Sequence, residues 1–334
     1  MNVSIHRLAK IAAVVAFCVV VLGAWVRLSN AGLGCPDWPG CYGKLTWPDA
    51  HHEIAAANEA FPDRPVDLSV AWKEMVHRYL AGTLVLLVLA LNVLAWRRKS
   101  SFRTDQKTFK GLAGALLVLI LFQAALGMWT VTLKLLPIVV MAHLLGGFAT
   151  LGLLSWLAFR SGRQAVGVTG WAFRSQRTLI TTGLLVLMIQ IALGGWTSAN
   201  YAALACPDFP ACQDQAWPQM DFSEGFVLWR EIGVDYEGGV LDLPSRTAIH
   251  MSHRIGAAIT FIVLLMLALR LMMAPASRGA GTLLVAAVIV QVTLGIMNVL
   301  HYLPLPNAVA HNATAAILMV ILLWLLHRAK QQYG

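Results

Sequence analysis

Four of the ten histidines lie inside long apolar runs: His77, His143, His253 and His311. Ionisable side chains are costly in such surroundings and usually functional there. The bland alternative is an imidazole that hydrogen-bonds between helices as packing glue. The ordering of the four argues against it, because His77-Arg78 is answered by His253-Arg254 and His143 is answered by His311. Zinc ordinarily takes four protein ligands, or three and an open position, often with thiolate or carboxylate. No third in-span ligand is repeated beside these histidines. Haem iron needs only one or two axial ligands, and helix bundles commonly house such cofactors. Two haem sites, one per histidine pair, are therefore expected. Arg78 and Arg254 are placed either to pair with haem propionates or to snorkel to the membrane interface.

The two pairs differ in one neighbour. Glu74 stands three residues before His77, where His250 precedes His253. Positions three apart share a helix face, so Glu74 can project toward whatever His77 faces. A carboxylate at the edge of an apolar pocket can give or take a proton; the alternative is a salt bridge at the helix mouth with Lys73 or Arg78. This divergence marks the first pair as the reaction site and the second as the holder of a permanent cofactor.

Four of the five cysteines form two matching motifs, Cys35-Pro-Asp-Trp-Pro-Gly-Cys41 and Cys206-Pro-Asp-Phe-Pro-Ala-Cys212. Both fall in loops assigned below to an oxidising space, so a disulfide within each motif is expected, although spacing alone does not fix connectivity. Such a bond acts either as a staple or as a pair that cycles electrons. Cys18 reads as a packed free thiol. His6, His51, His52, His301 and His327 lie in tails, loops or helix ends and read as solvated or interfacial.

The elements that carry these residues are membrane helices. With 58% hydrophobic and 12% charged residues, the chain lies far outside the balance of soluble domains. The runs Leu8 to Leu28, Met75 to Trp96, Gly111 to Thr132, Pro137 to Phe159, Thr178 to Thr197, Ala248 to Leu269, Gly281 to Leu300 and Ala308 to Leu326 are each about 20 residues long, enough to span a bilayer as helix. None alternates with the period of a barrel strand. The first run lacks an obvious cleavage site and is read as a retained helix rather than a signal peptide. The N-terminus, the segments Arg97 to Lys110, Arg160 to Arg177 and Arg270 to Arg278, and the C-terminal tail hold 16 basic residues and one acid, against 9 basic residues and 15 acids elsewhere. Cytoplasmic loops carry the basic excess, so both termini are expected in the cytoplasm. That sidedness accounts for the formal charge of +9 without any nucleic-acid partner.

The chain also repeats itself. LGAWVRLSNAGLGCPDWPGC from Leu22 aligns without a gap with LGGWTSANYAALACPDFPAC from Leu193, at an offset of 171. Gln123-x-x-Leu-Gly answers Gln291-x-x-Leu-Gly, and His143 answers His311, at an offset of 168. A unit with an even number of crossings repeats in parallel about an axis along the membrane normal. The expected fold is all-α, with eight transmembrane helices as two parallel four-helix-bundle repeats: residues 1–160, a cytoplasmic linker 161–177, and residues 178–334.

These residues together, Glu74-x-x-His77-Arg78, His143, His253-Arg254, His311 and the two C-P-D-[WF]-P-x-C loops, resemble the haem A synthase family over essentially the whole chain. The resemblance implies an enzyme of the bacterial inner membrane that oxidises the C8 methyl of haem O to the formyl group of haem A for terminal oxidases. It implies that His253 and His311 ligate a resident haem b, that His77 and His143 flank the haem O substrate, and that Glu74 is a catalytic acid, with the haem sites near the periplasmic side. Cys35 and Cys41 match the family's outer-loop pair. The implied partners are a haem O synthase that supplies substrate and an electron carrier. Two other readings are open: a diheme cytochrome that only relays electrons, and a transporter, since parallel repeats also build transporters.

Overall fold

A computed structural model describes residues 2–97, 103–162 and 170–330. Residues 98–102 of the first basic segment, 163–169 of the expected linker and 331–334 of the tail lie outside the described residues. The described residues form eight long helices: α1 (Asn2–Leu28), α3 (Leu68–Arg97), α4 (Arg103–Thr132), α5 (Pro137–Ser161), α7 (Arg177–Ala199), α9 (Leu243–Met273), α10 (Arg278–Leu300) and α11 (Leu305–Lys330). Three short helices, α2 (His51–Ala60), α6 (Gly170–Arg174) and α8 (Phe222–Gly225), lie between them. All eight long helices are long and apolar enough to cross a membrane, and no strand occurs among the described residues. The chain is a multi-pass membrane protein.

α3 and α9, which carry His77 and His253, start well before their apolar runs. The Asp242 carboxylate accepts the Ser245 N–H at 3.0 Å, and Pro244 sits in the first turn of α9; both features favour a helix start. Asp67 likewise accepts the Ser69 N–H at 2.8 Å just before α3. Hydropathy does not register these polar first turns. As a result His77 and His253 lie between about two and three turns into their helices. His143 and His311 sit in the second turns of α5 and α11, as expected.

α1 packs on α3 and α5, and α4 also packs on both, closing a ring in which α3 and α5 are diagonal. α7, α9, α10 and α11 close a second ring with α9 and α11 diagonal. The rings meet where α1 touches α11 and where α5 touches α7 and α11. Ala9, Ala12 and Ala16 form a fully buried stripe along α1, and such small residues let helix backbones approach closely. The opposite face of α1 carries exposed Ile11 and Val14 together with Cys18, which is free and exposed rather than packed. Helical period alone places Cys18 on that outward face.

His327 is also not solvated: it is buried with ring centroids 5.6 Å from Trp156 and 5.9 Å from Phe159, where the end of α11 lies against the end of α5. His6 hydrogen-bonds the Ala158 carbonyl through Nδ1 at 3.0 Å.

At the opposite end the long loops join the two halves. Arg27 donates to the Ser198 carbonyl at 2.6 Å and lies 4.1 Å over the Tyr201 ring. Tyr236 donates its N–H to the Lys134 carbonyl at 3.1 Å and is buried among Leu33, Leu126, Leu135, Leu136 and Val139. A segment of the second half thus covers part of the first.

Candidate functional site

α3 and α5 present His77 and His143 within electrostatic reach of each other, and α9 and α11 do the same for His253 and His311. Each ring packs on a glycine of the long helix that precedes its own. A Cβ on Gly23 would stand 3.0 Å from His77 Cε1, and one on Gly194 would stand 3.0 Å from His253 Cε1. The corresponding distances are 3.4 Å for Gly127 and His143 and 3.1 Å for Gly295 and His311. Any side chain there would press on the imidazole, so glycine seats the ring against helix backbone. His77, His143, His253 and His311 are each half-buried.

The nitrogens are unevenly partnered. Nδ1 of His77, His143 and His311 is buried without a hydrogen-bond partner. Gln291 Nε2 lies 3.2 Å from His311 Nε2. Gln190 Nε2 lies 2.9 Å from His253 Nδ1 and donates to the His253 carbonyl at 3.0 Å. Buried polar atoms ordinarily find partners, and imidazoles brought together in pairs with nitrogens left unpartnered fit axial ligation of a haem. Among the described residues no group of three or more His, Cys, Asp or Glu could hold a bare metal ion.

Above each pair sits a disulfide loop. Cys35 is bonded to Cys41 and Cys206 to Cys212, as expected. The motif aspartates close the turns: Asp37 accepts the Tyr42 and Gly43 N–H groups at 2.6 and 2.8 Å, and Asp208 those of Gln213 and Asp214 at 2.7 and 2.9 Å. Partial desolvation opposes it, but the Asp214 and Gln213 N–H groups hold the Asp208 carboxyl below its ordinary range. The Trp38–Pro39 and Phe209–Pro210 peptide bonds are cis.

The arginines beside the histidines clamp these loops. Arg78 donates to the carbonyls of Asp37, at 2.9 Å, and Gly40. Arg254 donates to those of Ala211 and Asp208, both at 2.7 Å. Loop carbonyls therefore take up much of each guanidinium. Glu74 is buried, pairs with Arg78, and accepts the Cys35 N–H at 2.9 Å. Its counterpart His250 instead hydrogen-bonds the Ala202 carbonyl at 3.0 Å.

The family model for COX15-CtaA, described as cytochrome oxidase assembly protein, matches residues 6–323. The chain belongs to this family. Among its relatives, a protein of Shewanella oneidensis named heme A synthase is 45% identical over 315 residues, covering 94% of this chain and 93% of that protein. A heme A synthase of Paracoccus denitrificans is 29% identical over 343 residues, covering 94% and 85%. One of Bacillus licheniformis is 25% identical over 238 residues, covering 70% of each.

In this COX15-CtaA member, sequence reasoning found the histidines, Glu74, the arginines and the cysteines but missed what supports them. The four glycine seats carry a signal in plain view: each follows a leucine, at Leu22-Gly23, Leu126-Gly127, Leu193-Gly194 and Leu294-Gly295. Gln190 stands in the same Gln-x-x-Leu-Gly pattern as Gln123 and Gln291.

Proposed function

We propose that the chain is a haem A synthase that oxidises the C8 methyl of haem O to the formyl group of haem A, supplying terminal oxidases. The observation that carries this reading is the pair of glycine-seated histidine sets with orphaned nitrogens, in a chain whose relatives bear that name. Those names favour this reading over a relay cytochrome.

The assignment is as follows. His77 and His143 flank substrate haem O in the first four-helix unit, and His253 and His311 hold haem b in the second. Both termini face the cytoplasm, and the sites lie toward the periplasmic side of a bacterial inner membrane; the one-sided basic excess supports this topology. Haem b, when bound, supplies one-electron transfer toward an external carrier. A haem O synthase supplies the substrate, whose apolar tail favours entry from the bilayer.

Conversion of a methyl to a formyl group inserts one oxygen atom and, with water as its source, releases four electrons and four protons. The protein must therefore accept protons near the methyl. Glu74 is the buried carboxylate of the first set, three residues from His77 on the same helix face. It takes up a proton and hands it outward through the Cys loop, while Arg78 stabilises its ionised form. The disulfide-closed loops limit water at each mouth. Arg78 and Arg254, anchored on loop carbonyls, would be the cations that meet haem propionates at that edge.

Haem extracted from the purified chain tests the assignment. Haem b together with haem O or haem A is expected from the wild type. His77→Ala should lose only the second component and His253→Ala the haem b. Haem b alone from both sites would favour the relay cytochrome.

A further inference from the structure

The four histidine seats share a leucine-glycine step but differ just before it. Four residues before the seating glycine stands a glutamine in three of them, Gln123, Gln190 and Gln291, and a valine, Val19, in the fourth. The contrast between Gly23 with His77 and Gly194 with His253 is close to a controlled one, because both glycines leave the same 3.0 Å to the ring. What differs is polar support. Gln190 holds His253 at both Nδ1 and the backbone carbonyl, 2.9 and 3.0 Å away. Val19 offers no polar atom, and Nδ1 of His77 is buried without a partner.

The neighbouring helix is matched to this difference. A Cβ on Gly256, one turn beyond His253, would come within 2.3 Å of Gln190 Oε1, so Gly256 opens the slot that the amide fills. The position equivalent to Gly256 after His77 is Leu80. The His77 seat therefore lacks both the amide and the room for it. Gln123 fills a similar slot, since a Cβ on Gly146, three residues after His143, would overlap its side chain, but neither its Nε2 nor His143 Nδ1 has a hydrogen-bond partner.

We propose that Gln190 is a positioning residue that fixes His253 as a permanent haem ligand, and that Val19 with Leu80 leaves His77 unsupported so that haem in the first unit can exchange. This rests on the reading of two haem sites given above. An imidazole that ligates metal through one nitrogen keeps its proton on the other, and a partner for that proton orients the ring and strengthens the ligand. Gln190 Oε1 is buried without a partner, so a half-turn of the amide brings an acceptor to Nδ1 in exchange for the bond to the His253 carbonyl. Substrate and product must pass through the first site, where a locked ligand would hold them back.

The test is the rate at which full-length purified protein gives up haem to apomyoglobin, followed optically. In a His77→Ala background, where only the second site is loaded, Gln190→Leu should speed release about tenfold or more. Gln190→Glu, of the same shape but still an acceptor, should keep it slow. Equal rates for the Leu and Glu variants, or no acceleration by Leu, would overturn the proposal and reduce Gln190 to packing. In the otherwise wild-type chain, Val19→Gln with Leu80→Gly should convert the fast-released haem fraction to a slow one; an unchanged fast fraction in folded protein would contradict it. A wild-type chain that carries no haem would instead overturn the reading of two haem sites.

Discussion

The carboxylate of Glu74 accepts the backbone N–H of Cys35 at 2.9 Å, which ties the first disulfide loop to the helix that carries His77. The same carboxylate pairs with Arg78, whose other nitrogen holds the loop carbonyls. Loop, acid and histidine thus form one hydrogen-bonded unit. At the second site His250 replaces the acid and hydrogen-bonds the Ala202 carbonyl, so a carboxylate stands beside the histidine only at the first.

Glu74→Gln keeps an oxygen for the Cys35 N–H and removes the charge. Haem content should be unchanged while haem A formation falls about a hundredfold or more, the range for loss of a general acid or base. Turnover of haem O by the purified variant measures this, and full conversion would remove the acid from the mechanism.

Arg254→Ala should release the second Cys loop. Two carbonyls, of Ala211 and Asp208, lose charge-assisted hydrogen bonds of 2.7 Å, each worth about 1.5–3 kcal/mol. Limited proteolysis should then cut within 206–212 where the wild type resists. Arg254→Lys should restore little, because a point ammonium cannot reproduce a planar fork of donors.

Arg64 reaches from the first long loop to Asp235 and Glu237 in the second, at 2.8 Å each. These groups are partly exposed, so Arg64→Ala should cost only about 0.2–1 kcal/mol of stability, and less at high salt. Hydrogen exchange around Tyr236 should rise in the variant. The exchanged pair Arg64→Asp with Asp235→Arg should recover part of the protection.

The Asp208 turn should respond to acid. Its carboxyl is held below the ordinary value by the Asp214 and Gln213 N–H groups, against partial desolvation. A depressed folded-state pKa gives stability that is present above the unfolded value, about 3.9, and lost as pH falls through the folded value. Amide exchange at Gln213 and Asp214 should therefore accelerate only below about pH 4, and Asp208→Asn should remove that pH dependence.

Much of this was legible in the residues. Eight apolar runs gave eight helices, and paired cysteines gave two disulfides. Helix starts at Asp67 and Asp242 escaped because capping acts on polar first turns. Cys18 and His327 were misplaced for a related reason: burial depends on which helix lies alongside, as Trp156 and Phe159 lie beside His327. The bridge from Arg64 to Asp235 has no local signal, although the two positions are separated by the same 171 residues as the Cys motifs. Gln190 was readable from its motif, but its meaning needed the distance to His253.

The most direct test of the central claim is the haem profile of cells that co-express this chain with a haem O synthase, separated by reversed-phase chromatography, with and without His77→Ala. Haem A that forms with the wild type and vanishes in the variant is the predicted result. Haem O that accumulates unchanged with a folded, haem b-loaded wild-type chain would contradict it.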